Sequence, residues 1–198
     1  SIDASEVTEI SGESFIIYHV YRGTGNKFVG IDDADLTVTG DLDVFMANLL
    51  DPETTGTIAG SITSETVEAL KTLTGVNEYS ITINAVDATS TTAADLNAIN
   101  ALTSVPVNLT NVIALAASDL SDLDTLAAAI TDNEFSSVAG IATLAVSDIT
   151  IDASALASTI DSYDEINGES TTGMTLAAGA TINVDASEIT EMLEDETA

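Results

Sequence analysis

Four copies of one short block constrain this chain more than any other feature: Ile2-Asp3-Ala4-Ser5, Val86-Asp87-Ala88-Thr89, Ile151-Asp152-Ala153-Ser154 and Val184-Asp185-Ala186-Ser187. A degenerate copy, Ser118-Asp119-Leu120-Ser121, falls between the second and third, so the last four aspartates stand 32, 33 and 33 residues apart. A chain that repeats at such a period folds by stacking, because each unit is too short to bury its apolar face except against its neighbours.

Residues just before each marker aspartate are short β-branched runs bounded by polar or small residues: Tyr79-Ser80-Ile81-Thr82-Ile83, Asn111-Val112-Ile113-Ala114-Leu115, Asp148-Ile149-Thr150-Ile151 and Ala180-Thr181-Ile182-Asn183-Val184. They predict strands. Residues just after it, in 92–99, 121–127 and 187–193, place apolar side chains at helical spacing behind Ser, Thr or Asp caps and early acids, which predicts short helices. Segments 41–50 and 64–73 predict two more of the same kind. Thr-Gly pairs at Thr55-Gly56, Thr74-Gly75 and Thr172-Gly173 predict turns in which glycine supplies a positive φ.

The unit therefore reads strand, Asp turn, helix, Gly turn. Its most economical packing is a parallel sheet with helices along one side. The expected fold is α/β, a solenoid-like stack of short strand-helix repeats with a period of about 33. Abundant Ala and Thr suit close approach of successive coils.

Segment 13–30 breaks the pattern. It holds four of the eight aromatics (Phe15, Tyr18, Tyr21, Phe28), the single histidine, His19, and two of the three basic residues, Arg22 and Lys27. Phe15-Ile16-Ile17-Tyr18-His19-Val20-Tyr21 and Lys27-Phe28-Val29 flank a Gly-containing turn, which predicts a β-hairpin inserted into the array. The expected organisation is one repeat domain over 1–198, with the hairpin at 13–30 and strand-helix repeats over 31–198.

Acidic residues outnumber basic ones 33 to 3, for a net charge of -30. That field repels phosphate backbones and anionic membranes, so neither nucleic acid nor membrane insertion is expected. Hydrophobic content of 45% sets the chain apart from acidic disordered sequences. Self-repulsion is screened in salt, which suits saline or calcium-containing surroundings. Without cysteine there is no disulfide framework, thiolate nucleophile or thiolate metal site. The charge-free stretch 96–118 has the length of a membrane span, but Asn97, Asn100, Asn108, Asn111 and Pro106 interrupt it and it reads as buried repeat interior. A start at Ser1, part-way into a repeat, suggests a piece of something longer.

The chemical candidates are few. If the repeats stack, the marker aspartates come into register about 4.8 Å apart, the spacing of adjacent strands. Each is first a turn or helix cap. The sharper reading is a calcium ladder on Asp3, Asp87, Asp119, Asp152 and Asp185. Asp32, Asp33 and Asp35, with Asp41 and Asp43, cluster five carboxylates in 12 residues and are a second cation candidate, although the EF-hand glycine and closing Glu are missing. Calcium is the only cofactor considered, and none is required.

Gly23-Thr24-Gly25-Asn26-Lys27 lacks phosphate-loop spacing. His19 has no Gly-x-Ser-x-Gly partner motif. Carboxylates are too numerous for any one pair to mark a glycosidase, and Asn108-Leu109-Thr110 is a lone glycosylation triplet. No catalytic residue is assigned, and the chain reads as a non-enzyme. Phe15, Tyr18, Tyr21, Arg22, Lys27 and Phe28 are the candidate assembly interface, since aromatics and Arg are enriched where interfaces gain their energy.

Through Val184-Asp185-Ala186-Ser187, Thr92-Ala93-Ala94-Asp95-Leu96-Asn97-Ala98-Ile99 and Thr171-Thr172-Gly173, the chain resembles the Ala/Thr/Asp-rich repeats of large surface proteins of marine cyanobacteria and of their phages' fibres. The resemblance covers residues 31–198 and is one of style, with no catalytic motif. It implies an extended structural or adhesive role outside the cell or on a virion. The expectation is a fibre or filament module that associates with itself head to tail, the alternative being a calcium-dependent secreted adhesin domain.

Overall fold

The computed structural model describes residues 1–23, 28–141, 143–146, 149–151, 174–176 and 182–184. In chain order the elements are β1 (Ile2–Asp3), β2 (Glu9–Gly12), α1 (Ser14–Arg22), β3 (Phe28–Val29), β4 (Asp35–Asp41), α2 (Val44–Leu50), β5 (Ile58–Ile62), α3 (Val67–Leu70), β6 (Glu78–Ile81) and α4 (Ala93–Asn100). They continue through β7 (Val107–Asn108), β8 (Ala114–Ser118), α5 (Leu120–Thr131), β9 (Phe135–Ser136), β10 (Thr143–Val146), β11 (Ile149–Ile151), β12 (Met174–Leu176) and β13 (Ile182–Val184). The architecture is α/β with parallel sheets. Two compact units divide the chain, one of residues 1–86 with 98–108, the other of 87–97 with 109–198.

In the first unit a four-stranded sheet runs in the order β2-β4-β5-β6, every pair parallel. A parallel neighbour demands a crossover between strands. The crossovers are short: α1 and β3 between β2 and β4, α2 between β4 and β5, and α3 between β5 and β6. β1 and β3 form a further parallel pair, Ile2 opposite Phe28. Leu36, Leu42, Leu50, Ile58, Ile62, Leu70, Tyr79 and Ile81 fill the core beneath the sheet and are 1% exposed or less.

The short helices start where side chains can cap them. Asp43, extended at φ -84°, accepts the Met46 N–H at 2.6 Å and opens α2. Thr66 accepts the Ala69 N–H at 3.3 Å and opens α3. Both lie inside the helical segments read from sequence.

Segment 13–30 corrects the expected hairpin. Residues 14–22 form α1, led by an extended Glu13 and closed by Gly23, whose N–H donates to the His19 carbonyl. Among the described residues of the segment only Phe28–Val29 is strand, and it pairs parallel with β1. The β-branched and aromatic run Phe15–Tyr21 has strand propensity, yet its place between two parallel strands requires a crossover, and tertiary context overrides a weak local preference. At helical period Ile17 turns inward, 1% exposed, while Phe15, Ile16 and His19 face out.

In the second unit β8, β10 and β12 form a parallel sheet in the order β12-β10-β8, and β11 pairs in parallel with β13. Ile149 lies opposite Ile182 and Ile151 opposite Val184. That offset is the one that separates Asp152 from Asp185. In the first unit paired strands lie closer along the chain, Ile10 opposite Leu36 and Leu36 opposite Ile58, and the expected period does not describe them.

Candidate functional site

A set of polar side chains among the described residues bonds across from one strand-and-crossover segment to the next. Thr54 Oγ1 donates to the Ala34 carbonyl at 2.6 Å, twenty residues back, and accepts the Gly56 N–H at 2.9 Å. Thr103 repeats the arrangement, donating to the Tyr79 carbonyl at 2.7 Å and accepting the Val105 N–H at 3.1 Å. Asn48 donates through Nδ2 to the Thr72 carbonyl and accepts the Thr74 N–H through Oδ1, at 2.8 and 2.9 Å.

Asn77 joins three partners. Its Oδ1 accepts the Ile58 N–H at 2.9 Å, while Nδ2 donates to Asp51 Oδ1 at 3.1 Å and to the Tyr79 hydroxyl at 3.2 Å. Burial, reinforced by the charge of Asp51 and opposed by the Asn77 hydrogen bond, pushes the Tyr79 phenol up to about 12. In the second unit, Ser118 Oγ accepts the Ala93 N–H at 2.9 Å and Asn97 Nδ2 donates to the Asp122 carbonyl at 2.9 Å.

Of the acidic run 32–43, Asp35 and Asp41 join the same seam through their carboxylates, whereas the Asp32 and Asp33 side chains are exposed and Asp43 caps α2. The Asp32 carbonyl accepts the Thr55 N–H at 2.7 Å, and the Asp35 carboxylate accepts the Thr57 N–H at 2.7 Å. Asp41 accepts the Ser64 hydroxyl at 2.6 Å and both the N–H and hydroxyl of Thr63 at 3.0 and 2.9 Å. The Ser64 bond foremost, helped by those of Thr63 against a desolvation cost, holds its carboxyl below the ordinary 3.8. Among the described residues no three His, Cys, Asp or Glu side chains come together as a metal-holding group.

The marker aspartates occupy unlike places. Asp119 is the N-cap residue of α5 directly after β8, which is the strand-to-helix corner read from sequence. Asp3 ends β1 and accepts the Ser5 N–H at 3.1 Å, an Asx-type turn with no helix behind it, and that bond holds its carboxyl below the usual range. Asp87 ends a 3-10 turn, Ala85–Asp87, some way before α4. Asp152 and Asp185 lie outside the described residues, as does Lys27.

The candidate interface residues fall on one coil and its neighbour. Phe15 is 59% exposed and its ring meets His19 at 4.1 Å between centroids. The His19 Nδ1 lies 2.8 Å from the Phe15 carbonyl. Tyr18 is half-buried, 6.3 Å from the His19 ring. Tyr21 is also half-buried, donates to the Ile31 carbonyl at 3.1 Å, and is raised by desolvation first. Arg22 Nε donates to Glu53 at 2.7 Å, and the same carboxylate raises its pKa. Phe28 is exposed on β3.

Sequence reasoning missed Ile16 and Phe45, 57% and 69% exposed on α1 and α2. It also missed the threonines and asparagines of the seam. The exposed pair was concealed by being apolar within helical runs, whereas Thr54 and Thr103 share a detectable signal, Thr two residues before the N–H it accepts. No helix is long and apolar enough to cross a membrane among the described residues. Comparison with protein-family models, curated proteins and solved structures finds no match to this chain.

Proposed function

We propose that the chain is a non-enzymatic structural module of an extracellular or virion-associated fibre, a solenoid-like stack of strand-helix coils that associates head to tail with further copies. The observation that carries this reading is the strict chain order of the all-parallel sheet β2-β4-β5-β6, stitched by side-chain bonds that reach 19 to 26 residues along the chain. Stacks of that kind extend by adding like units. Their polar residues serve the backbone of the next coil: Asp35, Asp41, Asn48, Thr54, Asn77 and Thr103 are all engaged there.

Negative-stain electron microscopy and light scattering at rising concentration, in salt and calcium, test the reading. Filaments or concentration-dependent rods are expected. A strictly monomeric species at high concentration overturns head-to-tail association. The calcium-dependent adhesin reading draws on the net charge of -30. Circular dichroism in chelator and then calcium separates it: an unchanged spectrum and melting temperature removes it.

A further inference from the structure

Three successive helices, α2, α3 and α4, start and pack by one scheme. Their caps Asp43, Thr66 and Thr92 each accept the N–H of the residue three places on, Met46, Ala69 and Asp95. Four and seven places after the cap stand Ala47 and Leu50, Leu70 and Leu73, and Leu96 and Ile99, all apolar and at most 5% exposed. That spacing keeps them on one helical face. Eleven places after the cap stand Thr54, Asn77 and Thr103, which are three of the five polar residues buried among the described ones. Each bonds the backbone of the preceding segment: Thr54 donates to the Ala34 carbonyl at 2.6 Å, Asn77 accepts the Ile58 N–H at 2.9 Å, and Thr103 donates to the Tyr79 carbonyl at 2.7 Å. Fifteen places after the cap, Ile58, Ile81 and Val107 are 0% exposed.

The connections between these stretches keep no such constancy. Seven residues, 59–65, lead from Ile58 to Thr66, and ten, 82–91, lead from Ile81 to Thr92. The caps therefore stand 23 and then 26 residues apart, while every position inside the stretch is kept. A buried polar side chain that misses its partner is costly, so the distance from cap to stitching residue is held by the bond. A surface connection changes length at little cost. We infer that residues 43–58, 66–81 and 92–107 are three copies of one 16-residue helix-turn-strand block, each stitched to the segment before it by the side chain eleven residues after its cap, and that this block is the unit by which the sheet is lengthened. The inference goes beyond the head-to-tail reading and does not depend on it, since a monomer built of such blocks satisfies it.

Two lengthened versions of the full chain test it. One carries a second copy of residues 66–91, a block with its connection, inserted between Thr91 and Thr92. There the Thr103 hydroxyl meets the Tyr79 carbonyl of the inserted copy, and the inserted Asn77 meets the Ile81 N–H of the original. The other carries the same insert without Thr74, which brings the inserted Asn77 one residue nearer its cap. Circular dichroism and thermal unfolding, beside the wild type in the same high salt, read both. The intact insert is expected to keep the wild-type ellipticity per residue, and the shortened one to melt at least about 4 °C below it. The two inserts melting alike, the intact one melting below the shortened one, or an intact insert that loses ellipticity per residue overturns the block. Whether the wild type associates changes none of these outcomes, so the block and the head-to-tail reading stand or fall separately.

Discussion

At the scale of single residues, the chain holds its coils together with short polar side chains whose partners lie a coil away. Thr54 is buried and bonds two backbone groups at once, the Ala34 carbonyl and the Gly56 N–H. Thr54→Val keeps the shape and strands both groups, so urea unfolding should show a loss of about 1–3 kcal/mol, with Thr54→Ser recovering most of it. Asp41 gives a pH dependence. Its carboxyl is held below 3.8 in the folded chain, so its contribution is present above that value and disappears as pH falls through the lower folded value. Asp41→Asn should therefore flatten the acid limb of a stability-against-pH curve, while the wild-type curve falls below about pH 4. The start of α5 at Asp119 and the segment in which Asp43 caps α2 were legible in sequence, because a helix and its first residues are neighbours along the chain, although Asp119 makes no side-chain cap bond. The seam roles of Asn48 and Asn77 were not, because nothing local marks a partner more than twenty residues distant unless the strand spacing is already known.

At the scale of elements, α2, α3, α4 and α5 stand within or over the segments whose caps and spacing predicted them, and β6, β11 and β13 overlap the predicted strands. The failure at α1 is instructive: aromatic and β-branched residues dominate 15–21, and only the parallel order of the strands on either side reveals that a crossover is needed. Thr172-Gly173 lies outside the described residues, and the chain bends at the other two Thr-Gly pairs for different causes. Gly75 has the positive φ of 71° that the sequence suggested. Gly56 is required for proximity, since a Cβ there would meet the Ala34 carbonyl oxygen at 2.6 Å. Gly56→Ala is thus expected to cost about 1–3 kcal/mol through displacement of one coil from the next, read by thermal unfolding. Asp43→Ala should cost about 1 kcal/mol by removing the α2 cap, checked by denaturant titration.

For the whole molecule, charge is the dominant condition. Arg22 and Lys71 are the basic side chains in ion pairs among the described residues, with Glu53 and Glu68, and the net -30 is what remains after every basic residue is counted. Screening within roughly 10 Å at ordinary ionic strength relieves that repulsion. The melting temperature should therefore rise by several degrees from low to high NaCl, and a flat salt profile would contradict this account. The 33-residue marker spacing led to the expectation of parallel strands, which the sheets show, but not to the spacing in the first unit, where side-chain bonds between successive segments span 19 to 26 residues. The marker aspartates occupy unlike places in the structure, and the distance along the chain from one strand to the next is set by where strands pair. That pairing order bears on how the chain is made. From β2 to β6 every strand needs only the segment synthesised about one coil earlier, so each closure joins a short loop. Translation can then lay the first unit's sheet down strand by strand while later residues are still inside the ribosome.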